Sequence, residues 1–446
     1  MNIAPLLLAR TQFMTSLSFL ALFLAISLAL AWFLLFFKLR ARVSGLAGWT
    51  AAYRLWVRIF ALSFVLALAF AVPVLVQLGS LWPGLMDKIG NVAGPLVGFG
   101  VLSVFVLKSC FLGVMLFGQR RVSDLAHTFA VFMVAIGQLV ALGWVLALQS
   151  WMQTPDGAAL IDGRYQVYDW LEVIFNPSFG WRMGATAVGA ALAAAFLMLG
   201  VHALQALRRP LDDGERNAFK AAVVVALVAS ILQLPVALGL RDLTVRHQPA
   251  KAAALAGYWH SGGKPEITIW GWPDAQSQST AGAWTLQNTG ARWLARDPNG
   301  IYIGLDKYSG MQPPVAMVFW SLRLAIVLGV LMVIAALVSF IGTARRGFDP
   351  AVMPRWWLRF QSGMMFAGGL AVMASWWVSQ LGLQPYMVNR TITQSEVLSP
   401  ATPATLGYGV AAWGLLYLIL LGAFVGMLFH AARYGVVPVR KTGGTP

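Results

Sequence analysis

Long apolar runs separated by short polar connections dominate the chain, and nine of them are long enough to cross a bilayer. They fall at 15–38, 54–79, 93–118, 125–150, 183–207, 218–240, 314–343, 360–382 and 404–434. A helix rising about 1.5 Å per residue needs roughly 20 apolar residues to span hydrocarbon. Lipid offers the backbone no hydrogen-bonding partner, so continuous runs of this length predict helices. The first run, Thr15–Phe37, is longer than a signal-peptide core and is followed by Lys38, Arg40 and Arg42, so it reads as a retained span. The expected fold class is an all-α integral membrane protein with nine transmembrane helices.

The polar connections set the expected orientation. Arg40, Arg42, Arg54 and Arg58 follow the first run, and Arg120 and Arg121 the third. Arg208, Arg209 and Arg216 follow the fifth; Arg345, Arg346, Arg355 and Arg359 the seventh; Arg433, Arg440 and Lys441 the ninth. The alternate connections are poor in basic residues or mixed in sign. Positive charge stays in the cytoplasm, which predicts an outside N-terminus and a cytoplasmic C-terminus. Two outer connections are long. One, 151–182, carries Asp156, Asp162, Asp169 and Glu172; the other, 241–313, is the largest polar region. Within it, Ile267–Trp270 and Gly300–Gly304 alternate as short strands do. The chain thus divides into six helices (1–240), an outer loop (241–313), and three helices with a short cytoplasmic tail (314–446).

Composition supports this reading and removes others. Hydrophobic residues make up 59% of the 446 and charged residues 11%, with a mean hydropathy of +0.71. So few charges cannot cover a water-soluble surface. The net charge of +16 sits in short loops between apolar runs, which fits orientation and contact with anionic lipid and argues against a nucleic-acid partner. Cys110 is the single cysteine, so an internal disulfide and a cysteine-ligated cluster are both excluded.

Redox or proton chemistry in a bilayer needs ligating or titratable groups at depth. Asp87, Asp124, Asp212, Asp213, Glu215, Asp349 and Glu396 all fall in connections or at helix ends, and the other acids lie in the two long outer connections. His127, His202 and His430 are expected near cytoplasmic helix ends, bonding terminal carbonyls, so no metal site is expected. Lys108 is the exception. It lies about ten residues inside the third run, ~15 Å deep, beside Ser109, and either lines a polar cavity or is tolerated in a water pocket. Trp56, Trp82, Trp151, Trp181, Trp356, Trp357, Trp376, Trp377 and Tyr386 read as interfacial anchors, and the glycines from Gly184 to Gly200 as close helix packing.

Several short stretches occur in the order of a known family. They are Leu8-Ala9-Arg10-Thr11-Gln12-Phe13, Trp151-Met152-Gln153-Thr154-Pro155, Asn176-Pro177, Gln248-Pro249-Ala250-Lys251-Ala252-Ala253, Phe319-Trp320-Ser321-Leu322-Arg323 and Gln384-Pro385-Tyr386. Together they resemble subunit I of the cytochrome bd-type quinol oxidases along essentially the whole chain. The resemblance implies a nine-helix bundle in the bacterial inner membrane, two b haems and haem d, a periplasmic quinol loop, and a second membrane subunit similar to bd oxidase subunit II.

The departures are systematic. The family's histidine eight residues beyond the Q-F glutamine falls at Leu20, and the paired glutamates of the third span at Gly100 and Lys108. The low-spin haem's histidine falls at Ala185, its methionine partner at Ala325, and the eighth-span glutamate at Met373. In the quinol loop Lys251 is kept, while its glutamate partner falls at Ala256. The expectation is a haem-free, redox-silent structural, assembly or regulatory subunit with no cofactor, or with a quinone or other small ligand at Lys251. The alternatives are an active quinol:oxygen oxidoreductase with rearranged haem ligation, and a transport or ligand-binding pore using Lys108, with Ser109 and Arg323 as further intramembrane polar candidates.

Overall fold

The computed structural model describes residues 3–434, and Arg440 and Lys441 lie outside them. Among the described residues, nine helices are long and apolar enough to cross a membrane. They are α1 (Ile3–Ser44), α2 (Ala47–Ser80), α3 (Pro83–Arg120), α4 (Asp124–Gln153), α5 (Phe179–Ala206), α6 (Asp213–His247), α7 (Val315–Ala344), α8 (Arg355–Leu381) and α9 (Pro403–Tyr434). Most run past the apolar segments, because polar residues beyond them cap the helix and do not stop it. Asp212 and Glu215 form a capping box at the start of α6, with reciprocal bonds of 2.8 and 3.1 Å. Ser123 accepts from the Ala126 amide at 3.2 Å to start α4. At its other end α6 continues to His247, so the long loop begins seven residues later than the hydropathy implied.

The connections gather at two ends. At one, Lys38 pairs with Asp124, and Arg216 with Asp349 at 3.0 Å. At the other, called here the loop end, the Asn389 amide donates to Met152 at 2.9 Å, the Asn389 side chain to His247 at 3.1 Å, and the Ser399 amide to Leu81 at 2.9 Å. Three antiparallel pairs decorate the loop end: β1 (Ala158–Ile161) with β2 (Arg164–Val167), β3 (Ile267–Asp274) with β4 (Ser279–Leu286), and β5 (Tyr386–Val388) with β6 (Ile392–Thr393). The expected strand at Ile267–Trp270 is therefore present. That at Gly300–Gly304 is not: Tyr302 makes only isolated bridges, to Gly262 and Arg296.

The core lies around α1 and α5. Phe23, Leu30, Leu34 and Phe37 of α1 are fully buried, as are Ala194, Phe196, Leu199 and Val201 of α5. In lipid no hydrophobic force drives helices together, so close backbone approach through small residues carries the packing. A Cβ at Gly368 on α8 would lie 2.6 Å from Ala193 Cα, and one at Gly200 would lie 2.7 Å from Met365 Cα. Gly368→Leu is accordingly expected to cost ~1–3 kcal/mol through overpacking, read as a lowered thermal midpoint in detergent. An unchanged midpoint would show that the α5–α8 contact is looser than described.

The tryptophans divide into two groups. Trp181 and Trp356 are exposed, as anchors should be, but Trp56, Trp82, Trp151 and Trp357 are buried inside the bundle. Their indole N–H groups explain part of this: Trp56 donates to His202 at 3.2 Å and Trp151 to the Asp156 carbonyl at 2.9 Å.

Candidate ligand cleft and the positions of the expected haem ligands

At the loop end, segments far apart in sequence converge on one buried polar cluster. Gln153 ends α4, Arg182 lies in the first turn of α5, Ser379 near the end of α8, and Gln248 and Lys251 on the short helix Pro249–Ala256 and its cap. Arg182 donates to Ser178 Oγ at 3.2 Å, Ser379 Oγ at 2.6 Å and Gln153 Oε1 at 3.0 Å. Gln248 Nε2 donates to the same Gln153 oxygen at 2.7 Å, and Lys251 Nζ to Gln248 Oε1 at 3.2 Å and the Ser379 carbonyl at 3.4 Å. Beneath the cluster, Asn176 donates to Ser150 at 2.8 Å, and Thr154 to Ser178 at 2.8 Å. A cleft of about 390 Å³ opens onto Lys251, with Gln248, His247, Tyr308, Asn389 and Arg390 among its lining.

Burial, and then the field of Arg182, push the Lys251 ammonium well below the usual lysine range. The charged form is therefore disfavoured in the fold, and the unfolded chain binds the extra proton. Stability contributed through this group rises with pH from the depressed folded value towards ordinary lysine, about 10.4. Lys251→Met should raise the thermal midpoint near neutral pH, and its advantage over the parent should shrink as the pH approaches ten. A difference that stays constant with pH would show Lys251 to be fully compensated by its neighbours.

Arg323, expected inside the membrane, lies near the loop end of α7 and acts as a clamp. It donates to the carbonyls of Leu255 (2.6 Å), Phe319 (2.9 Å), Ile269 (3.2 Å) and Thr268, and its guanidinium lies 3.3 Å from the Phe319 ring centroid. It thereby fixes both the short helix and β3 to the bundle. That helix ends at Gly257, whose left-handed backbone (φ 68°) lets the chain turn away close to Phe319 and Thr268.

Lys108 is placed elsewhere, in a π-helical segment of α3, Val104–Ser109, where Ser109 Oγ donates to the Val104 carbonyl at 3.2 Å. The lysine is 6% exposed. Its ammonium lies 5.0 Å from the Phe64 ring centroid, and its stem lies against the bare backbone of Gly137. Among the described residues it has no ion pair. Ser109 is exposed, and the only hydrogen bond of its side chain among the described residues is that to Val104. Lys108 and Lys251 thus belong to two separate sites.

At the positions where the resemblance expects haem ligands, Leu20, Gly100, Ala185 and Ala325 have no donor atom; only Lys108 and Met373 have one. Leu20 is half-buried, and its neighbours Phe19 and Phe23 each stack on Phe70 with centroids 5.3 Å apart; Tyr417 lies 4.9 Å from Phe70. Of the histidines expected to bond terminal carbonyls, His127 sits on one, that of Met115 in the last turn of its helix, whereas His202 is bonded by side chains inside the bundle. His202 accepts from Trp56 at Nε2, so Nδ1–H donates to Gln205 Oε1 at 2.7 Å, and both nitrogens are used. His127 is buried with Nε2 at 3.2 Å from the Met115 carbonyl, and His430 is exposed beside Tyr434. Among the described residues no group of three or more His, Cys, Asp or Glu is placed to hold a metal. Of the six expected positions, four thus carry no side-chain atom that could ligate haem iron.

Sequence reasoning did not single out Arg182, Ser379 or Arg390. Arg182 fell at the end of an outer connection, one residue before the expected span, and neither it nor Ser379 or Arg390 offered a signal.

The family model described as cytochrome bd terminal oxidase subunit I matches residues 8–436. The cytochrome bd ubiquinol oxidase subunit 1 of Bacillus subtilis is 28% identical over 377 residues, covering 79% of this chain and 77% of that protein. The cytochrome bd-II ubiquinol oxidase subunit 1 of Escherichia coli is 24% identical over 446 residues, covering 84% and 85%. In fold, the bd oxidase of Geobacillus thermodenitrificans superposes with a TM-score of 0.86 at 19% identity, over 97% of this chain and 99% of that one. Nine apolar helices and these relatives make it a multi-pass protein of the bacterial inner membrane. The chain belongs to the cytochrome bd terminal oxidase subunit I family.

Proposed function

We propose that the protein is a haem-free, redox-silent member of this family. It serves as a structural, assembly or regulatory subunit beside a second membrane subunit, and its loop end is a periplasmic module that binds a quinone or other small ligand at Lys251. One observation carries the reading: the expected ligand positions hold Leu20, Gly100, Ala185 and Ala325, whereas Lys251 is kept and hydrogen-bonded in the loop-end network. A subunit that still oxidised quinol would need both. The arginine-rich connections between α1 and α2, α3 and α4, α5 and α6, and α7 and α8 support a cytoplasmic side for their end.

The test is oxygen uptake with a short-chain ubiquinol by the complex purified through a tag on this chain. Uptake no greater than that of the detergent blank is expected. Uptake that follows the tagged chain through every purification step would support the oxidoreductase reading instead. A second reading, a ligand-binding or transport path at Lys108, is favoured by the burial of that lysine with no ion pair among the described residues. It requires solute flux in proteoliposomes that is lost in Lys108→Met.

A further inference from the structure

The loop-end cluster buries two basic side chains and no acid. Arg182 is 8% exposed and Lys251 4%, and neither belongs to any ion pair among the described residues. Every bond they make goes to a neutral acceptor: the Ser178 and Ser379 hydroxyls, the Gln153 and Gln248 amides, and the Ser379 carbonyl. Neutral acceptors satisfy N–H groups but supply no counter-charge, and a guanidinium does not escape by losing its proton. A buried charge without a counter-charge is costly to a fold. The cleft that opens onto this cluster adds Arg390 and His247 at its rim, with Asn389 and Tyr308 as further donors; no Asp or Glu is among its described lining, and Asp156 acts on His247 from outside it. Its volume, about 390 Å³, suits a small molecule or a headgroup.

We propose that this cleft binds a ligand bearing an oxyanion, a carboxylate or phosphate, which docks against Lys251 and Arg390 with Arg182 behind them as the fixed positive charge. The ligand is then the counter-charge that the chain itself does not provide. Charge-assisted bonds from Lys251 and Arg390 would hold it, and the second N–H of the Asn389 amide and the Tyr308 hydroxyl would orient it. The proposal rests on the reading of the loop end as a ligand site and is independent of haem content.

The test uses the complex purified through this chain, in nanodiscs of neutral phosphatidylcholine, titrated calorimetrically with inorganic phosphate, succinate and a short-chain ubiquinone. A parallel sample in discs containing phosphatidylglycerol is examined by native mass spectrometry for retained lipid. Saturable binding of phosphate or succinate, weakened at least about tenfold by Lys251→Met and by Arg390→Gln and kept by Lys251→Arg, supports a free anion. Retention of phosphatidylglycerol alone, lost in the same variants, supports a lipid headgroup. Lys251→Met removes a buried charge and Arg390 is exposed, so loss of binding with an unlowered thermal midpoint is not misfolding. Lys251-dependent binding of ubiquinone with none of either anion or of the lipid overturns the proposal and leaves the loop-end ligand site standing. Anion binding that is indifferent to both variants overturns it as well, and no binding of any probe removes both readings.

Discussion

Arg323→Leu is expected to free the long loop from the bundle. The wild-type guanidinium bonds four carbonyls and lies over Phe319. Leucine leaves the Leu255 and Thr268 carbonyls without that donor in a partly buried place. Hydrogen bonds to a charged group are worth about 1.5–3 kcal/mol each, and the loss of such a network falls in the range of ~3–5 kcal/mol. The short helix and the β3–β4 hairpin should then lose hydrogen-exchange protection and become sensitive to protease, while α1 and α5 stay protected because their packing does not involve the clamp. Arg323→Lys should keep part of the effect, since an ammonium reaches fewer of the carbonyls. Unaltered protection of residues 249–286 in Arg323→Leu would show that the aromatic contacts of Trp270 and Trp272 with Trp320 hold the hairpin by themselves.

Lys108→Met is expected to stabilise the protein. A lysine in the middle of a membrane helix costs about 2.5–3.5 kcal/mol on insertion, and methionine fills a similar volume without a charge. The surroundings of Lys108 offer a phenyl face and a glycine backbone, which return little of that cost. A gain on the order of 2 kcal/mol is expected, read as a higher thermal midpoint in detergent. A lower midpoint, or loss of a co-purifying membrane subunit, would mean that an acid from outside this chain reaches Lys108.

Element type was legible in the sequence because lipid removes the alternatives: a run of about twenty apolar residues has only one satisfied backbone form. Helix ends were less so, since Asp212 with Glu215 at one end of α6 and Arg241 to His247 at the other are polar yet helical. The π-helical turn at Lys108 left no mark in the hydropathy, because it changes hydrogen-bond spacing without changing residue character. Interior and interfacial tryptophans looked alike for a similar reason: Trp56 has a buried partner, His202, that lies 146 positions away.

The candidate site was half legible. Lys251 and its motif stood out in the sequence, and the structure shows why four separate motifs recur together. Gln153, Asn176, Gln248 and Gln384 all line or support one place at the loop end. Order along the chain gave no hint of that convergence. Nor did it show that Arg182 and Lys251 share neutral acceptors and no acid, which is a property of three-dimensional contact alone.

Haem stoichiometry decides the redox-silent reading. The complex is purified through a tag on this chain, in detergent and with its natural membrane partners, and assayed by pyridine haemochrome and total iron per tagged chain. Far less than one haem per chain is expected, with no b- or d-type absorption bands on reduction. One or more haems per chain, kept in preparations of the tagged chain freed of its partners, would contradict that reading and point to Lys108 and Met373 as the first side chains to replace.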